Sequence, residues 1–344
     1  METLWYGLLA VMIAGYVIFD GFDLGAGILH LFVAKNPAER DQVVRSVGPV
    51  WDGNEVWLIA GGGTLFFAFP VLYARSFSGF YLPLMMVLWL LVLRGLGIEL
   101  RHYFKETLWL QFWDAAFALS SLLLALFFGA ALGNVVRGVS LDENGVFFAP
   151  LWTNFRVGAD TGVLDWFTIL VGLTAVLSLA YHGALWLNDR TDGEVQRRSR
   201  CIAKGLWIIV LGAAVLTSVA AFWIQPVVLT SWTERPWGAT FPALSLIMLV
   251  ASAFYCRRGA SRKAFLCSAG YLLALLLTAA IGLYPYVLPA RNLQFSLTAQ
   301  STATSQASLT IGLYWWIPGL CLALAYMAYN YSKLPKTVSV DESS

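Results

Sequence analysis

Apolar runs of about 18 residues or more recur along almost the whole chain. As a helix rising about 1.5 Å per residue, each is long enough to cross a hydrocarbon core of roughly 30 Å. Nine are read, at 4–33, 51–73, 77–100, 110–133, 163–187, 202–224, 238–256, 264–284 and 309–330. They predict an all-α polytopic membrane protein with nine transmembrane helices, residues 1–344 forming a single transmembrane domain. The polar tail, 332–344, is expected to be short and disordered. The first run is the longest and is interrupted by FDGFDLGAG at 19–27. Such a stretch can sit at membrane depth only when it is buried against other helices. Two connecting loops, 134–162 and 285–308, are long and polar.

Composition strengthens this picture. Hydrophobic residues make up 59% of the chain and charged residues 12%, against about 45 to 50% and about 25% in a typical soluble domain. A net charge of +2 gives no reason to expect a nucleic-acid partner; the lipid bilayer is the expected surroundings. The placement of charge says more. Sixteen of the 22 Lys and Arg fall in one alternating set of loops, five in the other, and Arg94 lies inside the third run. By the positive-inside rule the N-terminus is outside and the C-terminus cytoplasmic. The first run lacks a basic n-region and a small-residue cleavage site, so it reads as a span, not a signal peptide. Cys201, Cys256, Cys267 and Cys321 form no CxxC or CxxCH, which argues against a disulfide framework, a zinc site or covalent haem attachment.

The candidate chemistry lies in carboxyls at membrane depth. Residues 50–63, VWDGNEVWLIAGGG, open the second run on Trp51, Asp52, Asn54 and Glu55. Asp52 and Glu55, three apart, share a helix face with Trp51 close by. Asp20 falls near mid-depth of the first run, with Asp23 one turn further in; Glu99 and His102 lie near the inner end of the third, and His30 near that of the first. An acid inside a bilayer costs about 2.5 to 3.5 kcal/mol on insertion scales, so it faces protein or water and needs a reason to be there. Low dielectric favours the neutral acid, so a ladder of carboxyls from the cytoplasm to mid-membrane suits proton transfer. A structural reading competes. Asp20 and Asp23 can hydrogen-bond backbone around the nearby glycines, and Asp52 can cap its helix. Arg94 is a salt-bridge partner for one of these acids in either reading, and Asp114 is expected at the interface.

Other signals point to packing. Gly61, Gly62 and Gly63 lack the strand and the Lys-Ser of a phosphate loop and read as small residues that let helices approach. The fifteen tryptophans are placed mostly as an interfacial belt requires. His30, His102 and His182 are the only histidines, and satisfied histidines near helix ends are a better reading of His30 and His182 than haem ligands.

Several segments carry a family likeness. GFDLGAG at 21–27, GPVWDGNEVWLIAGGGTLFFAFPVLYARSFSGFYLPL at 48–84, LRGLGIELR at 93–101 and YPYVLP at 284–289 resemble subunit II of the cytochrome bd quinol oxidases. The similarity extends through the whole chain, and WDGN-x-VWL with FSGFY is highly specific. The resemblance implies two four-helix bundles plus one extra helix, in a bacterial inner membrane. It implies a heterodimer with a subunit I that carries two haems b and one haem d and oxidises quinol while reducing O2 to water. Small accessory single-span subunits belong to the same picture, and some relatives hold a bound quinone in subunit II. In the family an acid of the first span and the Asp of WDGN belong to a proposed proton pathway; they match Asp20 and Asp52. Glu55 stands where some relatives have Gln, and the loop QFSLTAQSTATSQ at 294–306 departs from the common pattern, so neither carries a role over.

The expected function is that of a haem-free oxidase subunit, with no firmly bound cofactor and no catalytic activity alone. It supports assembly and haem retention and adds a proton pathway of Asp20, Asp52 and Glu99. Arg94, Asp23, Trp51, Asn54 and Glu55 serve as structural or charge partners. The rival is a stand-alone proton-coupled transporter, against which stand the lack of an inverted repeat and of a substrate-shaped polar set at the midplane.

Overall fold

The computed structural model describes residues 1–158 and 161–340. Thirteen helices make up almost all of it: α1 (Glu2–Val33), α2 (Pro37–Val47), α3 (Trp51–Ala68), α4 (Pro70–Gly79), α5 (Tyr81–Glu99), α6 (Thr107–Arg137), α7 (Trp166–Arg190), α8 (Gly193–Ile224), α9 (Pro226–Glu234), α10 (Thr240–Arg257), α11 (Ser261–Leu283), α12 (Ala299–Thr302) and α13 (Gln306–Lys333). Among the described residues, eight helices are long and apolar enough to cross a membrane: α1, α5, α6, α7, α8, α10, α11 and α13.

The expected second span, 51–73, is broken. α3 ends at Ala68, Phe69 leaves helical geometry (φ −133°, ψ 62°), and Pro70 starts α4. Proline has no amide proton to donate and pushes its predecessor out of the α region, so the helix stops where the sequence places it. With its polar opening, α3 alone falls short of the mean hydropathy of these eight. α2 escaped the search for apolar runs because it is a surface helix. Asn36 caps it, its side chain accepting from the Glu39 amide at 2.9 Å, Pro37 takes the first position, and Val43, Val44 and Val47 are buried.

α1 is the axis of the packing. It contacts α3, α6, α7 and α11 along its length, and every residue from Asp20 to His30 is buried. The glycines of 21–27 make this possible. A Cβ on Gly25 would strike the Leu179 carbonyl and the Gly183 backbone of α7, and one on Gly27 would strike Ser121 of α6. Small residues thus let α1 and α7 touch backbone to backbone. The polar interruption does sit buried against other helices, as expected.

The remaining helices follow suit: α5 packs on α6, α8 on α7, and α10 on α11. α13 is only lightly buried and reaches the rest through side chains. The Trp5 indole donates to the Leu309 carbonyl at 3.1 Å and that of Trp316 to Thr64 Oγ1 at 3.2 Å. The two long loops interlock, Val139 N donating to Pro289 O and Arg291 N to Val139 O. Residues 286–288 and 297–298 form a short antiparallel hairpin.

The tail, expected to be disordered, is instead tied down through Ser339. Gln42 Nε2 donates to the Val338 carbonyl at 2.7 Å, Arg190 to that of Pro335 and Arg45 to that of Ser339. These bonds come from α2 and the end of α7, which tail composition does not reveal. Residues 341–344 of the tail lie outside the described residues, as do 159 and 160 of the first long loop.

Candidate functional site

The buried stretch of α1 brings its two acids to different partners. Asp20 Oδ1 accepts from Arg94 Nη1 of α5 at 2.6 Å, and both side chains are fully buried. Arg94 also has Glu55 Oε1 of α3 at 3.5 Å, a carboxylate that keeps 23% of its surface exposed. One turn along α1, Asp23 forms no ion pair among the described residues. Its Oδ2 accepts from Asn54 Nδ2 at 2.7 Å, and Asn54 Oδ1 accepts from the Tyr331 hydroxyl of α13 at 2.7 Å. Tyr16 OH, Asp20 Oδ2, Asp23 Oδ1 and Arg94 Nε and Nη2 are buried without a hydrogen-bond partner among the described residues. Buried polar atoms are nearly always paired, so five orphans around two carboxyls mark this interior as unusual.

The chain positions these groups simply. Asp20 and Asp23, three apart, share a face of α1, and Trp51, Asp52, Asn54 and Glu55 make the first turn and a half of α3. Asp52 and Glu55, expected on one face, part company. Glu55 turns to Arg94, whereas Asp52 is exposed, its Oδ1 accepting from the Gly53 amide at 2.7 Å. Asp52 lines a groove of about 470 Å³ between α3 and α13, shared with Asn54, Tyr331 and Lys333. Glu99 is exposed and accepts from Trp51 Nε1 at 3.1 Å; with His102 and Arg45 it lines a neighbouring cavity of about 580 Å³, walled by tail residues Pro335 to Ser339. Pro49 and Pro335 border both spaces.

A second buried carboxylate was misplaced by the sequence reading. Asp114, expected at the interface, is 1% exposed. Its Oδ1 meets His30 Nε2 and Arg101 Nε at 2.7 Å each, and Oδ2 accepts from Arg40 at 3.1 Å. Arg101 continues to Asp41 at 3.1 Å and to the Pro37 carbonyl. The signal available was weak: an acid seven residues into an apolar helix, with its cations 13 and 74 residues away.

His182 and His30 are engaged within the fold. His182 has both ring nitrogens engaged, with Ser268 Oγ at 2.7 Å and the Ile18 carbonyl at 3.1 Å, and His30 is held by Asp114. Among the described residues no three His, Cys, Asp or Glu are grouped to share a metal ion. At the other end, Arg137 pairs with Asp165 and donates to Asn134 Oδ1 at 2.7 Å, a contact that no motif announced. Outside the spans, Glu39 of α2 accepts from Arg198 at 2.7 Å and the Lys35 amide at 2.6 Å. Burial pushes its carboxyl up, but these two donors outweigh burial and hold it below the usual glutamate value.

Of the glycine triplet, Gly61 is buried against α1, with Met12 Cβ 4.0 Å from where its own Cβ would stand. Gly62 and Gly63 face open space, and Asp52, Val56, Ile59 and Phe66 extend the same bare face of α3.

Comparison with known proteins agrees with the resemblance. Residues 1–334 match the family described as cytochrome bd terminal oxidase subunit II. The probable cytochrome oxidase subunit 2 of Haemophilus influenzae is 31% identical over 360 residues, spanning 97% of this chain and 94% of that protein. The cytochrome bd-I ubiquinol oxidase subunit 2 of Escherichia coli K12 is 30% identical over 361 residues, with the same coverage. The bd oxidase structure from Geobacillus thermodenitrificans has a chain that superposes with a TM-score of 0.78 at 18% identity, covering 95% of this chain and 96% of that one, which supports the shared fold. A family match over nearly the whole length, two curated relatives at 30% identity or more and a common fold lead to one conclusion: this chain belongs to the cytochrome bd terminal oxidase subunit II family.

Proposed function

We propose that the chain is the haem-free subunit of a quinol-oxidising, O2-reducing membrane complex and forms part of its cytoplasmic proton inlet. The partner, subunit I, carries the haems and the oxidation of quinol. This chain secures assembly and haem retention and brings protons from the cytoplasm, so that O2 reduction to water is electrogenic without this subunit reacting alone. The observation that carries the reading is the buried Asp20–Arg94 pair, set beside Asp23, Asn54 and Tyr331, with Asp52 in the groove next to it. Buried ion pairs and carboxyls inside a membrane mark ion or proton pathways. Asp52 and Glu99, exposed at the start of α3 and the end of α5, collect protons, and the Asp20–Arg94 pair stands at the inner end.

The bare face of α3 supports the partner. Lipid tails cannot solvate Asp52, and glycines with open space above them admit another helix closely. In this reading α3 and α4 together supply the ninth crossing, the N-terminus is outside, and the C-terminus is in the cytoplasm of a bacterial inner membrane. α1 and α3 to α6 form one four-helix bundle, α7, α8, α10 and α11 the second, and α13 the extra helix.

Purification of the tagged chain in mild detergent, with a dithionite-reduced minus air-oxidised visible spectrum, tests it. The expected result is b and d haem bands travelling with a larger membrane subunit. A folded, colourless chain without that partner overturns the reading in favour of a transporter.

A further inference from the structure

Two carboxyls one turn apart on α1 have opposite surroundings, and only one is free to change its charge. Asp20 is locked to Arg94 at 2.6 Å with both groups fully buried, and Glu55 stands at 3.5 Å on the far side of the guanidinium. Protonating Asp20 would strand a buried arginine, the costly way to break such a pair. Asp23 makes no ion pair among the described residues, and Arg94 reaches it only as a charge at longer range. Its one polar contact is the neutral amide of Asn54, and its Oδ1 is buried without a partner. A proton gained there breaks no ion pair.

We infer that Asp23, not Asp20, is the carboxyl that takes up and releases the transported proton, with Asn54 and Tyr331 positioning it; this rests on the inlet reading above. The groups facing it are Asp20 on its own helix, Asn54 and Glu55 of α3, Arg94 of α5 and Tyr331 of α13. Asn54 is the fixed element. Its amide donates to Asp23 Oδ2 and its carbonyl accepts from Tyr331, which sets the amide's orientation and leaves Oδ1 as the exchanging atom. An amide exchanges protons poorly, so Asn54 holds the acid and does not relay. Asn54 and Tyr331 also line the groove that contains Asp52, so the acid sits just behind its wall. The step balances: a hydronium from the cytoplasmic side converts the Asp23 carboxylate to the neutral acid and leaves water. Release of the same proton toward the O2-reducing centre restores the carboxylate. Asp20 and Arg94 remain a charged pair throughout and fix the local field.

The test uses the intact two-subunit complex and reads the carboxylic C=O stretch in redox-induced infrared difference spectra, beside O2 turnover per haem. The expected result is a deuterium-sensitive band that disappears in Asp23→Asn and persists in Asp20→Asn, with turnover of Asp23→Asn lowered about a hundredfold. Tyr331→Phe keeps the ring and removes the hydrogen bond to Asn54, so it shifts the same band with the haem spectrum unchanged. It decides the matter by itself should Asp23→Asn fail to assemble. A band lost in Asp20→Asn and kept in Asp23→Asn overturns the inference but leaves the inlet reading standing, as does a Tyr331→Phe band at the wild-type position. Full turnover in Asp20→Asn, Asp23→Asn and Asp52→Asn alike overturns the inlet reading itself.

Discussion

Two buried acidic clusters, both seated on α1, are finished to different degrees. Around Asp114, one carboxylate serves His30, Arg101 and Arg40, and Arg101 spends its remaining donors on Asp41 and the Pro37 carbonyl. The unpartnered atoms there are His30 Nδ1 and Arg40 Nε, whereas around Asp20 and Asp23 there are two carboxyls, one cation and five orphaned polar atoms, a carboxyl oxygen of each acid among them. A carboxylate with both oxygens paired, as in Asp114, holds its network rigid, whereas the unpaired oxygens of Asp20 and Asp23 lower stability. The Asp114 cluster holds α1, α2, α6 and the end of α5 together. The incomplete cluster gives up stability, which is expected where a group must change its charge.

Substitutions can break this contrast in order of cost. The largest effect is expected from Arg94→Met, which leaves Asp20 buried without a counter-charge. The assembled complex should lose about 3 to 5 kcal/mol, read as a fall in thermal midpoint and yield. Asp114→Asn strands Arg101 and Arg40 at a site nearer the surface, and a loss of about 3 kcal/mol is expected. Its turnover per assembled haem should stay at the wild-type level, because the proposed inlet does not pass through this cluster.

A third acid, on α2, calibrates both. Glu39 lies outside the spans, and its folded carboxyl is held below the ordinary value of 4.5. The folded state therefore binds its proton less readily than the unfolded state. Its contribution is complete above pH 4.5 and fades as pH falls through the lower folded value. Glu39→Gln should cost about 1 kcal/mol at neutral pH and flatten the acid limb of a stability–pH profile. The smallest change in stability is expected for Asp52→Asn, within about 0.5 kcal/mol, since the group is exposed. Its turnover should nevertheless fall about tenfold with the haem spectrum intact. Normal turnover in Asp52→Asn would remove the groove from the pathway.

Much of the fold was legible in the chain because membrane spans need length and apolarity, and both are local properties. The acids at 20, 23, 52 and 55 were legible for the same reason: a charge inside an apolar run stands out. What escaped was non-local or amphipathic. Arg94 meets Asp20 across 74 residues, and Tyr331 reaches Asn54 across 277. No spacing rule encodes such pairs. The break at Pro70 was visible as a proline, but an apolar run read through it. α2 announced itself only by Asn36, Pro37 and Gly48, since its apolar face is three valines wide. The tail was misread because its order comes from Gln42, Arg45 and Arg190, residues of other elements, and not from its own composition.

The most direct measurement is O2 turnover per haem in the purified complex for Asp23→Asn and Asp114→Asn side by side. The account predicts that Asp23→Asn loses most of its turnover while Asp114→Asn keeps it, although the second is the less stable protein. Equal losses, or a loss confined to Asp114→Asn, would contradict it.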